Sequence, residues 1–143
     1  MNFNHLSASL EDYLEAIYYL EKENKVARVT DISRHLKIKK SSVTRALKQL
    51  AARELVNYEA YKFITLTGTG EMLAARITRK HKLLSEFLQK VLLFPPEQAW
   101  EKACKMEHFI NCAELTKFQD LIDFMQENPQ IEKAWLDFEH TNL

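Results

Sequence analysis

The sequence predicts a mainly α protein, with an N-terminal winged helix-turn-helix and small β-hairpin wing, then an all-helical domain. Three observations carry this. The 143 residues include only 2 Gly and 3 Pro, so few breakers interrupt long elements. Apolar residues recur at helical spacing along most of the chain. Between residues 55 and 67 the period changes to short runs, LVNYEA and YKFITLT, rich in β-branched and aromatic residues.

Each element follows in order. SLEDYLEAIYYLEKE, residues 9–23, reads as an amphipathic helix with Leu10, Tyr13, Leu14, Ile17 and Leu20 on its apolar stripe. Ser9 with Asp12 resembles a capping box. In RVTDISRHLKI, Thr30 or Asp31 is the expected N-cap, with Ile32, Leu36 and Ile38 inward. KKSSVTRALKQLAARELV follows after a few residues; Ser41 or Ser42 is the expected cap and Val43, Leu47, Leu50 and Leu55 the buried positions. Two helices joined by a tight turn make a helix-turn-helix, and the hairpin after them makes it winged. TGTGE at 67–71 ends the hairpin and opens a long helix that FPP at 94–96 breaks. Proline is tolerated in a first turn, so PPEQAWEKACKMEHFI is expected to be helical. CAELTKFQDLIDFMQEN is another helix, ending near Pro129, and the tail is expected to be partly helical. The expected domains are residues 1–72, a DNA-binding winged helix, and 73–143, a helical metal-binding and dimerisation domain.

Composition narrows the class. A hydrophobic content of 46% excludes a disordered chain. There is no apolar run of about 18 residues to span a membrane and no apparent secretory signal. Cys104 and Cys112 are too few for a disulfide framework, so a reduced cytoplasmic protein is expected. Net charge is zero, yet residues 1–80 carry 14 Lys and Arg against 9 Asp and Glu, and residues 81–143 carry 6 against 11. From Lys25 to Arg53, nine positive side chains face one acid, Asp31. This split points to a polyanion-binding part joined to another part.

The second helix of such a motif places its N-terminal residues at base edges in the major groove. The candidate DNA contacts are Lys39, Lys40, Ser41, Ser42, Thr44, Arg45 and Lys48, with Arg28 ahead of the motif and Tyr61 and Lys62 on the wing. The apolar surplus at the end of the long helix and in residues 109–125 suggests a homodimer, which would read a pseudo-palindromic duplex.

Cys104, Glu107 and His108 stand at i, i+3 and i+4, which puts a thiol, a carboxylate and an imidazole on one face of a helix. That spacing is compatible with a metal site and equally with ordinary polar residues. Asp12 and Glu15 on the first helix, and His81 on the long one, are further potential ligands that alone are not specific. Cys112 reads as structural.

LEDYLEAIYYL, ARVTDISRHLKIKKSSVTRALKQL, YEAYKFITLTGTGE, RKHKLLSEFL and MEHFI occur in an order and at separations that resemble the diphtheria toxin repressor family. Within it, the chain is most similar to the short manganese transport regulator branch, which lacks the SH3-like domain of longer members. The resemblance implies a metal-dependent transcriptional regulator, not an enzyme, whose ligands are Asp12, Glu15, His81, Cys104, Glu107 and His108. It implies Mn²⁺ or Fe²⁺ as corepressor, with Zn²⁺ or Co²⁺ binding in vitro, at one or two ions per subunit. Metal would set the spacing of the two recognition helices in a homodimer and so repress metal-uptake genes. Manganese-responsive members resemble the chain at Asp12 and have Glu where Cys104 stands; iron-responsive members share the Cys and have Met in place of Asp12. Trp100 stands where longer iron repressors carry His, and Ser85 where many relatives carry Glu. A winged-helix repressor that senses an organic ligand or oxidant without metal is the alternative reading; a metal-dependent hydrolase and a metal buffer leave the basic motif unexplained.

Overall fold

The computed structural model describes residues 6–142; residues 1–5 and 143, the outer ends of the two expected domains, lie outside the described residues. The chain divides into two compact units, Met1–Thr78 and Arg79–Leu143.

The first unit contains α1 (Ala8–Asn24), α2 (Val29–Leu36), α3 (Lys40–Ala52), β1 (Val56–Asn57), β2 (Thr65–Leu66) and the start of α4 (Gly68–Lys90). Its core takes the expected stripe of α1, namely Leu10, Tyr13, Leu14, Ile17 and Leu20. Ile32, Val43, Leu47, Leu50 and Leu55 join it, with Ala74 and Ile77 of α4. The strands pair antiparallel, Val56 with Leu66 and Asn57 with Thr65, and a single bridge joins Ala27 to Ile64. Strands of two residues do not hold a ribbon by themselves. Here the Glu21 carboxylate of α1 accepts a hydrogen bond from the Leu66 N–H at 2.8 Å and ties the wing to the helix.

All three expected N-caps are corrected. In α1 the cap is Ser7, whose hydroxyl accepts from Leu10 N–H at 3.2 Å; the helix begins at Ala8, which puts Ser9 inside the first turn. In α2 it is Arg28, not Thr30 or Asp31, because the chain enters the helix directly from the Ala27–Ile64 bridge. In α3 it is Lys39, whose carbonyl accepts from Ser42 and Val43 N–H, while no side chain caps the end. Ile38 is 37% exposed rather than inward, because the chain turns at left-handed Lys37 (φ 55°, ψ 44°) immediately before it.

In the second unit, the rest of α4 is followed by α5 (Pro96–Met106), α6 (Cys112–Glu127) and α7 (Pro129–Asn142). Leu84 and Leu88 of α4 pack with Ala99 and Ala103 of α5 and Leu115 of α6. Two alanines four residues apart lie on one face and let α5 approach closely. Val91, Ile122 and Met125 form a second cluster, sealed by Trp135, whose indole N–H donates to Val91 O at 2.6 Å. The tail is helical through Asn142, more than expected. α5 ends at Met106, not at residue 110. Of the apolar surplus read as interface, Leu84, Leu88, Val91, Leu115, Ile122 and Met125 fill the subunit's own core. Leu92, Phe109, Leu121 and Phe124 remain exposed.

The wing passes into α4 through a close backbone approach. Leu55 O accepts from Thr67 N–H, and Thr67 Oγ1 accepts from Gly70 N–H. A Cβ at Gly70 would sit 1.8 Å from Leu55 O, whereas at Gly68 nothing lies within 4 Å. Gly70→Ala should therefore lower unfolding stability by about 1–3 kcal/mol in urea titrations, and Gly68→Ala should not.

Candidate functional site

Two clusters of side chains stand out, one in each unit. In the first, α3 turns Val43, Ala46, Leu47 and Leu50 inward and leaves Lys39, Lys40, Ser41, Ser42, Arg45 and Lys48 exposed. The backbone cap at Lys39 leaves the Ser41 and Ser42 hydroxyls unused as helix caps and presented to solvent. Thr44 is half-buried, its hydroxyl donating to Lys40 O at 3.0 Å, so its oxygen keeps acceptor capacity. Lys40, Thr44 and Lys48 face Arg28, Tyr61 and Lys62 across a cleft of 540 Å³ between α3 and the wing. The Arg28 guanidinium lies 4.7 Å from the Phe63 ring centroid. Phe63 is a contributor that sequence reasoning missed; it precedes β2 in irregular backbone, where no side-chain spacing marks it, and its partner Arg28 is distant in the chain. Tyr61 is fully exposed, on a left-handed backbone at φ 64°. Lys62 pairs with Glu59 at the surface, and such exposed pairs hold their members weakly. Basic, hydroxyl and aromatic side chains around one cleft suit a phosphate backbone and groove edges.

In the second unit, Cys104 lies in the last turn of α5. Glu107 is the C-cap with right-handed backbone (φ −58°, ψ −29°), so the chain keeps its helical course just long enough to carry the spacing through. One ligand atom each from Cys104, Glu107 and His108 lie within 4.8 Å of one another. Glu107 is the centre: none of it is exposed, Oε2 lies 3.1 Å from His81 Nδ1, and Oε1 lies 3.8 Å from His108 Nε2. His81 is also buried, with the Trp100 ring 3.9 Å from its own, centroid to centroid, at 39°. A carboxylate out of water requires a positive partner. The donors here are a thiol, a carboxylate and imidazoles, which fit a first-row transition ion better than Mg²⁺ or Ca²⁺.

Asp12 and Glu15 occupy α1 in the first unit, one turn apart; Glu15 is buried and Asp12 half-buried. Beside them, burial pushes the Tyr13 phenol above its ordinary pKa, so it stays a neutral core group. Cys112 opens α6 as an exposed residue outside the cluster, behind an Asn111–Glu114 capping box.

Comparison with known proteins bears on both clusters. The model of the iron dependent repressor N-terminal DNA binding domain matches residues 5–64. The model of the iron dependent repressor metal binding and dimerisation domain matches residues 67–136. The HTH-type transcriptional regulator MntR of Lysinibacillus sphaericus is 35% identical over 87% of this chain and 89% of its own. Among solved structures, T. acidophilum IdeR is 27% identical with a TM-score of 0.74, covering 83% of this chain and 56% of that one. The manganese regulator SloR is 25% identical with a TM-score of 0.71, covering 80% and 54%. The chain thus spans little more than half the length of those two solved chains. Among the described residues, no helix is long and apolar enough to cross a membrane.

The donor set makes a spectroscopic prediction. Anaerobic Co²⁺ should give a thiolate-to-metal charge-transfer band that Cys104→Ser abolishes and Cys112→Ser keeps. A band that persists without Cys104 would remove that thiol from the site.

Proposed function

The chain belongs to the iron-dependent repressor family, and on that premise we propose that it represses metal-uptake genes with Mn²⁺ or Fe²⁺ as corepressor. The family consists of metal-dependent DNA-binding transcriptional regulators, not enzymes, and the chain carries its DNA-binding and its metal-binding and dimerisation domains. The observation that carries the proposal is the wholly buried Glu107 carboxylate, held against His81 with Cys104 and His108 at hand.

In this reading residues 1–72 bind DNA and residues 73–143 bind metal and dimerise. The ligands are Asp12, Glu15, His81, Cys104, Glu107 and His108, a set able to hold one or two ions. A bound cation adds positive charge beside carboxylates held out of water. Three carboxylates favour Mn²⁺, and the Cys104 thiolate favours softer ions such as Fe²⁺. The likeness to a manganese regulator supports the first. In the cytoplasm, a homodimer presents two α3 helices to half-sites about one helical turn apart. Lys39, Lys40, Lys48 and Arg28 meet phosphates, Ser41, Ser42, Thr44 and Arg45 meet base edges, and Tyr61 and Lys62 extend the contact from the wing. Metal and DNA then raise each other's affinity by the same factor, because both favour one arrangement of the dimer.

Anisotropy of a labelled duplex from the gene's own promoter, titrated anaerobically, tests this. Binding should tighten by about 10- to 100-fold with Mn²⁺ or Fe²⁺ relative to chelator. Arg45→Ala should weaken the metal-activated binding and relax its sequence preference. Equal affinity with chelator and with every ion would sink the metal reading and favour an organic ligand or an oxidant as the signal.

A further inference from the structure

We infer that Lys80 is the positioning residue of the metal centre: its ammonium holds the turn that presents Glu107 and His108, and so sets metal affinity. The inference rests on the metal reading above. Its basis is a pair of hydrogen bonds. Lys80 Nζ donates to Glu107 O at 3.0 Å and to Ile110 O at 3.4 Å.

α5 stops at Met106, and α6 does not begin until Cys112. The last bond of the α5 ladder ends at the Glu107 N–H, and His108 follows it on turn backbone. Local bonds there are few: Glu107 N–H donates to Ala103 O and Phe109 N–H to Met106 O. Phe109 is 86% exposed, which leaves Ile110, partly buried against the Leu84 and Ala103 cluster, as the turn's apolar anchor. Lys80 reaches the turn at carbonyls on both sides of His108, at the negative end of the α5 dipole, where a cation is favoured. Its neighbour on α4, His81, contacts the Glu107 side chain at 3.1 Å. Successive residues of one helix therefore hold Glu107 by its main chain and by its carboxylate.

An ammonium near a cation site has a second, opposite effect, since it repels the incoming ion. The sign of a substitution separates the two. If Lys80 acts by holding the turn, Lys80→Met should weaken binding; if it acts only as a nearby charge, the same change should tighten it. Outer-shell partners of metal ligands typically contribute 10- to 100-fold in affinity.

The experiment is anaerobic Co²⁺ titration of the full chain, read by the thiolate charge-transfer band, beside thermal melts of metal-free protein. Lys80→Met should raise the Co²⁺ dissociation constant by about 10-fold or more with little change in the metal-free melt. Lys80→Arg should return it to within about threefold, because guanidinium keeps both charge and donors. Lys80→Leu, which also removes charge and donors, carries the same test should the methionine variant not fold. An unchanged or tighter dissociation constant, or a lowered melt alone, overturns the role of Lys80 while leaving the metal centre standing. Absence of any Co²⁺ binding by the unsubstituted chain overturns both.

Discussion

A carboxylate with no surface in contact with water governs the second unit. Removing Glu107 from solvent carries a penalty of several kcal/mol unless positive charge and hydrogen bonds replace its hydration. The surrounding residues are arranged around that need. Ala99 and Ala103 keep α5 close against Leu84 and Leu88 of α4, which brings the end of α5 within reach of His81. Trp100 covers one face of the imidazole. His108, the next residue in the chain, lies near the other carboxylate oxygen. The packing of small residues upstream thus determines which donors can meet at the helix end.

Elements with strong apolar periodicity were legible in the sequence. The stripe of α1, the inward face of α3 and the break at 94–96 depend on side-chain spacing that any fold must respect. Caps were not, because Thr30, Ser41 and Ser42 were the residue types that favour the position, yet the helices are capped at Arg28 and Lys39 instead. The Ala27–Ile64 bridge fixed where α2 could start, and it joins residues 37 positions apart in the chain. The early end of α5 had no glycine or proline to mark it; the visible sign was Asn111 with Glu114, the capping box of the helix that follows. Cys104, Glu107 and His108 could be grouped by spacing alone. Lys80 and Phe63 could not, because each acts through a residue distant in sequence, Lys80 on Glu107 and Phe63 on Arg28.

The error over the α3 cap has a functional side. Had Ser41 or Ser42 capped the helix, its oxygen would have been occupied by a backbone N–H. With the Lys39 carbonyl serving the first turn, both hydroxyls remain on the basic surface of α3. The local rule fails here at residues proposed for DNA contact, where a free hydroxyl would serve binding better than a slightly firmer helix start.

The bond from Leu66 N–H to Glu21 gives α1 a mechanical character. Asp12, Glu15 and Glu21 ride on one uninterrupted helix, Ala8–Asn24, and about 13 Å of its axis separates Asp12 from Glu21. With a rise of about 1.5 Å per residue and no break, it forms one continuous rod. The wing strand, only two residues long, is hooked to the far end of this rod. α1 is therefore a connecting rod as well as a core element: the helix that carries the Asp12 and Glu15 carboxylates is the one to which the wing is fastened.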